Sequence, residues 1–288
     1  MENFRAVFYA PYYAIGALGF YADEGIEVEL VRSDAPGDAI SRLADGTIDL
    51  TWGGPMRVMT AHDQNAQSPL VCFGETVSRD PFFLIGNSDE FEFSDLARLR
   101  FATVSEVPTP WMCLQQDLRE AGIDPAMIAR IHDRPMSENY AALRAKKLDV
   151  MQAFEPFASQ AESDRAGTVL YAASSRGPTV YTSFIATRDK AASQRDAFLA
   201  VTRALARVQT WLYTHSGSEL ADVVASFFPD VPRELLARSL QRYLDAGLWA
   251  RDPAMSRQGF ERLGLSFVSG GLLKRSPVFE HCVDTNLI

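Results

Sequence analysis

The sequence predicts an α/β protein made of two similar lobes with a ligand cleft between them. Three observations carry this expectation. The run Leu43-Ala44-Asp45-Gly46-Thr47-Ile48-Asp49-Leu50-Thr51-Trp52-Gly53-Gly54-Pro55 has a near-match further along, in Leu143-Arg144-Ala145-Lys146-Lys147-Leu148-Asp149-Val150-Met151-Gln152-Ala153-Phe154-Glu155-Pro156. Both read as a helix end, a small or basic turn, an Asp, a short apolar strand and a proline-marked loop. Helical and strand patterns alternate on either side of each copy. At 288 residues the chain is long enough for two domains sharing a hinge. Where the strands of such sheets end, loops are free to hold a ligand, which places the site between the lobes.

Taken in order, residues 4–9 read as a buried strand followed by a loop at Pro11, and 13–23 have the apolar spacing of a helix stopped by Gly25. Residues 26–31 alternate Ile, Val and Leu with Glu, the pattern of a half-buried strand. A helix over 38–44 ends at Gly46, a strand over 48–51 opens into Trp52-Gly53-Gly54-Pro55, and Pro55 suits the first turn of a helix over 56–65. Strands over 70–75 and 82–86 close the first lobe. The second begins near Glu92, with strands over 100–104, 128–131 and 150–154 and helices over 111–121 and 137–145. A strand over 181–187 returns to the first lobe, on which helices over 195–214, 219–228, 233–245 and 256–263 are expected to pack.

Composition narrows the function. Hydrophobic residues make up 47% and charged residues 23%, ordinary for a globular chain. With 28 basic against 37 acidic residues the net charge is −9, which disfavours nucleic acid and anionic membrane surfaces as partners. No apolar run is long enough for membrane insertion. Cys72, Cys113 and Cys282 are odd in number and widely spaced, so neither a disulfide framework nor a Cys-x-x-Cys site is expected. His62, His132, His215 and His281 show no ligand spacing, and no metal or cofactor is proposed. Met1-Glu2-Asn3-Phe4-Arg5 leads directly into the first element without an export signal, so the expected location is cytoplasmic as the sequence stands, or periplasmic if a leader was removed.

Tyr9-Ala10-Pro11-Tyr12-Tyr13, the run from Gly19 to Leu30, the run from Asp45 to Pro55, and Phe154-Glu155-Pro156 together resemble the type II solute-binding proteins, in the branch that holds the sulfonate/taurine receptors and the thiamine-pyrimidine synthases. The resemblance covers nearly the whole chain. It implies a two-lobe type II periplasmic-binding-protein fold with an interlobe cleft and two hinge crossovers, lobe 1 being 1–87 with 184–288 and lobe 2 being 88–183. It also implies a small-molecule ligand and an ABC permease as partners. The fold hosts many ligands and some enzymes, so function must come from the site.

The loops expected at the cleft are rich in aromatics: Tyr9, Tyr12, Tyr13, Trp52, Trp111 and Phe154, with Pro11 among them. Aromatic faces stack on planar rings or hold cations, which favours an aromatic or heterocyclic ligand; each can equally be a core or hinge residue. Gly53 and Gly54 before Pro55 allow close backbone approach, and amides at a helix start can hold an anionic group, with Thr109 the second-lobe equivalent. A tight turn would need the same glycines with no ligand. Glu75 and Glu155 end strands and could accept hydrogen bonds, while Arg57 and Arg79 could meet a carboxylate or phosphate; a structural ion pair is the competing role for all four. Tyr181, opening the returning strand, completes the candidate set.

No nucleophile-base order or phosphate loop occurs, which favours binding over catalysis. The resembling synthases carry a lysine and a histidine after the Asp-bearing strand and a cysteine-rich segment downstream. The matching stretch here, Thr51 to Met59, has neither, and 178–184 has no cysteine. The expected function is a solute-binding protein of the ABC-transporter type that closes on its ligand by hinge motion. The alternative is a small-molecule enzyme on the same fold, thiamine-pyrimidine-synthase-like or acting on an aromatic acid.

Overall fold

A computed structural model describes residues 4–33, 38–88 and 90–288; the sequence reading of Met1 to Asn3 lies outside them. The strands are β1 (Thr51–Gly53), β2 (Leu70–Val77), β3 (Phe83–Gly86), β4 (Phe101–Ala102), β5 (Arg130–Ile131), β6 (Val150–Ala153), β7 (Thr168–Ala172) and β8 (Thr182–Thr187). The α-helices are α1 (Ala10–Ala17), α2 (Phe20–Asp23), α3 (Ala39–Ala44), α4 (Met56–Gln64), α5 (Thr109–Glu120), α6 (Met136–Arg144) and α7 (Phe157–Ser163). They continue with α8 (Arg188–Ser193), α9 (Arg195–Leu212), α10 (Gly217–Val224), α11 (Arg233–Asp245), α12 (Arg257–Ser269) and α13 (Phe279–Cys282).

Two sheets form, in the orders β1-β8-β2 and β5-β4-β6-β3-β7. In the first, β8 is central and antiparallel to both neighbours. In the second, β4 runs parallel to β5 and β6, while β3 is antiparallel to β6 and β7. The chain passes between the sheets twice, over 78–82 and over 173–181. Two crossovers were expected, but the first comes earlier than residue 87, because β3 pairs Phe83 with Ala153 and Ala172 in the second sheet.

The opening segment departs from its expected strand. Val7–Tyr9 is a 3-10 turn leading into α1, with Pro11 in the first helical turn rather than in a loop. Val7, Phe8, Tyr9, Tyr12 and Tyr13 are all buried; residues covered on every side carry no alternation, so the pattern could not separate strand from helix. Gly19, at φ +76°, divides the expected 13–23 helix into α1 and α2. Residues 26–31 form no strand of either sheet, and Val28 points outward at 41% exposure.

The C-terminal helices do not pack on one lobe alone. α9 lies on α1 and β2, whereas α11 also packs on α7 and α12 on α5. Arg238 donates to the Ser159 carbonyl at 3.0 Å, and Ser269 Oγ donates to Gln116 Oε1 at 2.9 Å. Helices following the first sheet thus hold both flanks of the second. Among the described residues no helix is long and apolar enough to cross a membrane.

Candidate functional site

The cleft between the sheets is a cavity of about 30 Å³. Its first-sheet side is made by Phe4, Phe8, Tyr9, Gly54, Met56 and Arg57, and its far side by Phe82, Val107 and Thr109, with Tyr181 and Thr182 at the second crossover. Two helices begin here: α4 directly after Gly54-Pro55, and α5 at Thr109. They meet across the cleft where Thr109 Oγ1 lies 3.6 Å from Met56 Sδ. The first turn of a helix leaves some backbone amides without intrahelical partners, so the cleft is flanked by two weakly positive helix ends.

Arg57 adds a full charge at that point. Its amide is fixed by donating to the Gly54 carbonyl at 3.2 Å, and its side chain is half-buried and makes no ion pair or hydrogen bond among the described residues. A cation in the first turn of a helix opposes the helix dipole, and a half-buried guanidinium gives up hydration, so an anion in the cleft would relieve both costs. Tyr181 lines the cleft at 6% exposure, and its buried hydroxyl has no hydrogen-bond partner among the described residues. Burial pushes that phenol well above its usual range, so it is neutral.

Of the sequence candidates, Tyr9, Gly54, Thr109 and Tyr181 come together here, while Gly53 and Pro55 shape the turn between β1 and α4. The others lie elsewhere, each for a packing reason. Trp52 and Tyr12 stack on one another at 4.7 Å and 8° inside the first-sheet core, with Tyr12 Oη donating to Thr182 Oγ1 at 3.4 Å. Trp52 borders a separate outer groove with residues 26–31. Tyr13 stacks on Phe227 at 4.7 Å, and Pro11 is buried in the first turn of α1. Trp111 turns toward its own sheet, beside Phe101 and under the Arg130 guanidinium at 4.5 Å. Phe154 packs edge-on against Phe8 and Phe82, behind the lining.

The two carboxylates are structural. Glu75 accepts the Ser256 amide at 2.7 Å at the start of α12, and burial pushes its pKa up to about 7. Glu155 accepts Ser159 N–H at 2.9 Å and Ser159 Oγ–H at 2.8 Å, and pairs with Arg242 of α11 at 2.7 Å. It therefore ties the second sheet to the C-terminal helices, with its pKa raised by burial. Arg79 donates to the Ser174 carbonyl at 3.1 Å, joining the crossovers. Sequence reasoning missed Phe4, Phe8, Met56, Phe82, Val107 and Thr182. Phe8 lies in the 3-10 turn and Phe4 precedes it beyond the extended Ala6, so no single periodicity in the sequence marks both. Among the described residues no group of three or more His, Cys, Asp or Glu is placed to hold a metal.

Known proteins share this architecture. A candidate binding protein, YtlA of Bacillus subtilis (strain 168), is 23% identical over 290 residues, spanning 99% of this chain and 87% of its own. The alkanesulfonate-binding protein SsuA of Xanthomonas axonopodis pv. citri, solved with MOPS, superposes with a TM-score of 0.72 at 17% identity over 96% of this chain and 94% of that one. The desulfurization enzyme DSZB does so at 0.71 and 12% identity, over 100% and 96%. At these identities the structures establish the periplasmic-binding-protein fold and leave the ligand open. The NMT1-like family model matches residues 4–227, and the chain belongs to that family.

Proposed function

We propose that this chain is a solute-binding protein that captures a small organic anion with an aromatic or heterocyclic body between its two lobes, in partnership with an ABC permease. The lobes of the proposal are 83–172 on one side, and the segments before 78 and after 181 on the other. The observation that carries it is Arg57, a cation without a partner among the described residues, at the start of α4 on the wall of an otherwise aromatic and apolar cleft. Its guanidinium would pair with the acid group, the starts of α4 and α5 would add amides, and Phe8, Tyr9 and Phe82 would cover the body of the ligand. A cavity of about 30 Å³ holds little more than one water, so capture requires the lobes to part and close again. The likeness to SsuA supports an organosulfonate as the ligand type.

The likeness to DSZB favours a second reading, an enzyme on the same fold. The lining offers hydroxyls and a guanidinium but, among the described residues, no His, Cys or carboxylate, which supports binding over turnover. Thermal-shift screening of organic sulfonates and carboxylates, with mass spectrometry of the recovered ligand, separates the two. The proposal expects a stabilising acid recovered intact; steady conversion of the bound compound would make the chain an enzyme.

A further inference from the structure

We propose that the hydroxyl of Tyr181 reads the ligand, donating a hydrogen bond to an oxygen of its acid group and so setting specificity for an oxyacid. This rests on the cleft reading above and deepens it.

Most other tyrosine hydroxyls of the chain have a protein partner. Tyr140 Oη donates to Asp164 at 2.8 Å, Tyr171 to Asp117 at 3.0 Å and Tyr243 to the Pro81 carbonyl at 3.1 Å. Tyr213 donates to the Trp249 carbonyl and Tyr12 to Thr182. Tyr181, at 6% exposure as buried as Tyr140 and more so than Tyr171 or Tyr213, has a buried hydroxyl without a protein partner among the described residues. A buried phenol normally finds an acceptor, and one left without any destabilises the fold that holds it.

The hydroxyl also has little freedom to find a partner. The Tyr181 amide donates to the Val77 carbonyl at 2.8 Å, which pins the crossover to the end of β2, and the ring packs near Phe82 at 6.0 Å between centroids. Its carbonyl faces Gly54, where an added Cβ would sit 3.5 Å away, so Tyr181 and the α4 start border the same small volume. Asp80 and Arg176 lie close enough to act on it electrostatically, but they are engaged with each other. The phenol is held neutral by burial and by the nearby Asp80 carboxylate, so it can donate to an oxyanion. Packing alone would be served by phenylalanine.

The test uses the full chain as wild type, Tyr181→Phe and Arg57→Ala, with MOPS, benzenesulfonate and benzoate as probes, followed by calorimetric titration and by melting without ligand. Tyr181→Phe is expected to melt at the wild-type temperature or higher, since it removes a hydroxyl without a partner, and to bind each probe that wild type binds about tenfold more weakly. Wild-type affinity in Tyr181→Phe, with affinity lost in Arg57→Ala, would overturn this inference and leave the cleft reading standing. A lower melting temperature for unliganded Tyr181→Phe would show that the hydroxyl is structural and overturn it as well. No binding of any probe to wild type, or equal binding to Arg57→Ala, would overturn the anion reading itself and this inference with it.

Discussion

Arg176 and Asp117 form a two-pronged ion pair out of reach of solvent. Arg176 Nε donates to Asp117 Oδ1 at 2.9 Å and Nη2 to Oδ2, with side-chain exposures of 6% and 7%. Arg176 belongs to the second crossover and Asp117 to α5, while Nη1 of the same guanidinium reaches Asp80 in the first crossover. One cation thus joins both connections between the sheets to the helix whose start borders the cleft.

Replacing Arg176 by Met strands two buried carboxylates. The expected cost is about 3 to 5 kcal/mol in chemical denaturation, the range for removing one partner of a buried pair. A loss too small to measure would mean that the charges are solvated and that the crossovers are not clamped as described.

Trp52 is expected to support the fold rather than the ligand. Its ring is 4% exposed, stacked on Tyr12 and edge-on to Tyr9 and Tyr13. Trp52→Ala should destabilise by about 3 to 5 kcal/mol, as large-to-small changes in a packed core do. Ligand affinity lost from a variant of unchanged stability would return Trp52 to the binding wall.

Glu75 predicts a particular pH dependence. Burial raises its pKa from 4.5 to about 7, with the Ser256 amide acting the other way and Asp252 adding to the rise. Below the unfolded value both states hold the proton, so this group's contribution is fully present there. As pH rises the unfolded chain releases the proton first, and the contribution is lost through about pH 7. Glu75→Gln should therefore gain melting temperature relative to wild type between about pH 5 and pH 8. A constant difference across that range would show that Glu75 titrates normally.

The two-lobe plan was legible because it depends on local signals repeated along the chain. The Asp-strand-proline unit recurs, and the expected helix over 233–245 coincides with α11, whose Leu236, Leu240 and Tyr243 are buried along one face. β7 was not seen, because its partner β3 is distant in sequence and its residues are only partly covered. Gly54, Thr109 and Arg57, where glycine, proline and charge mark helix starts, do border the candidate cleft. Trp52, Tyr12 and Glu155 pack away from that cleft, because a residue near a strand end can point into the core as readily as into a cleft. Burial and partner choice, set by contacts such as Glu155 with Arg242, are tertiary facts that one sequence does not display.

The pairing of Arg57 with an anionic ligand is most directly tested by calorimetric titration of one organic sulfonate into wild type and Arg57→Ala, both shown to be folded. The account predicts saturable binding to wild type and at least about tenfold weaker binding to the variant, equivalent to about 1.4 kcal/mol. Equal affinity in the two proteins would contradict it, since the anion would then be held somewhere other than the start of α4.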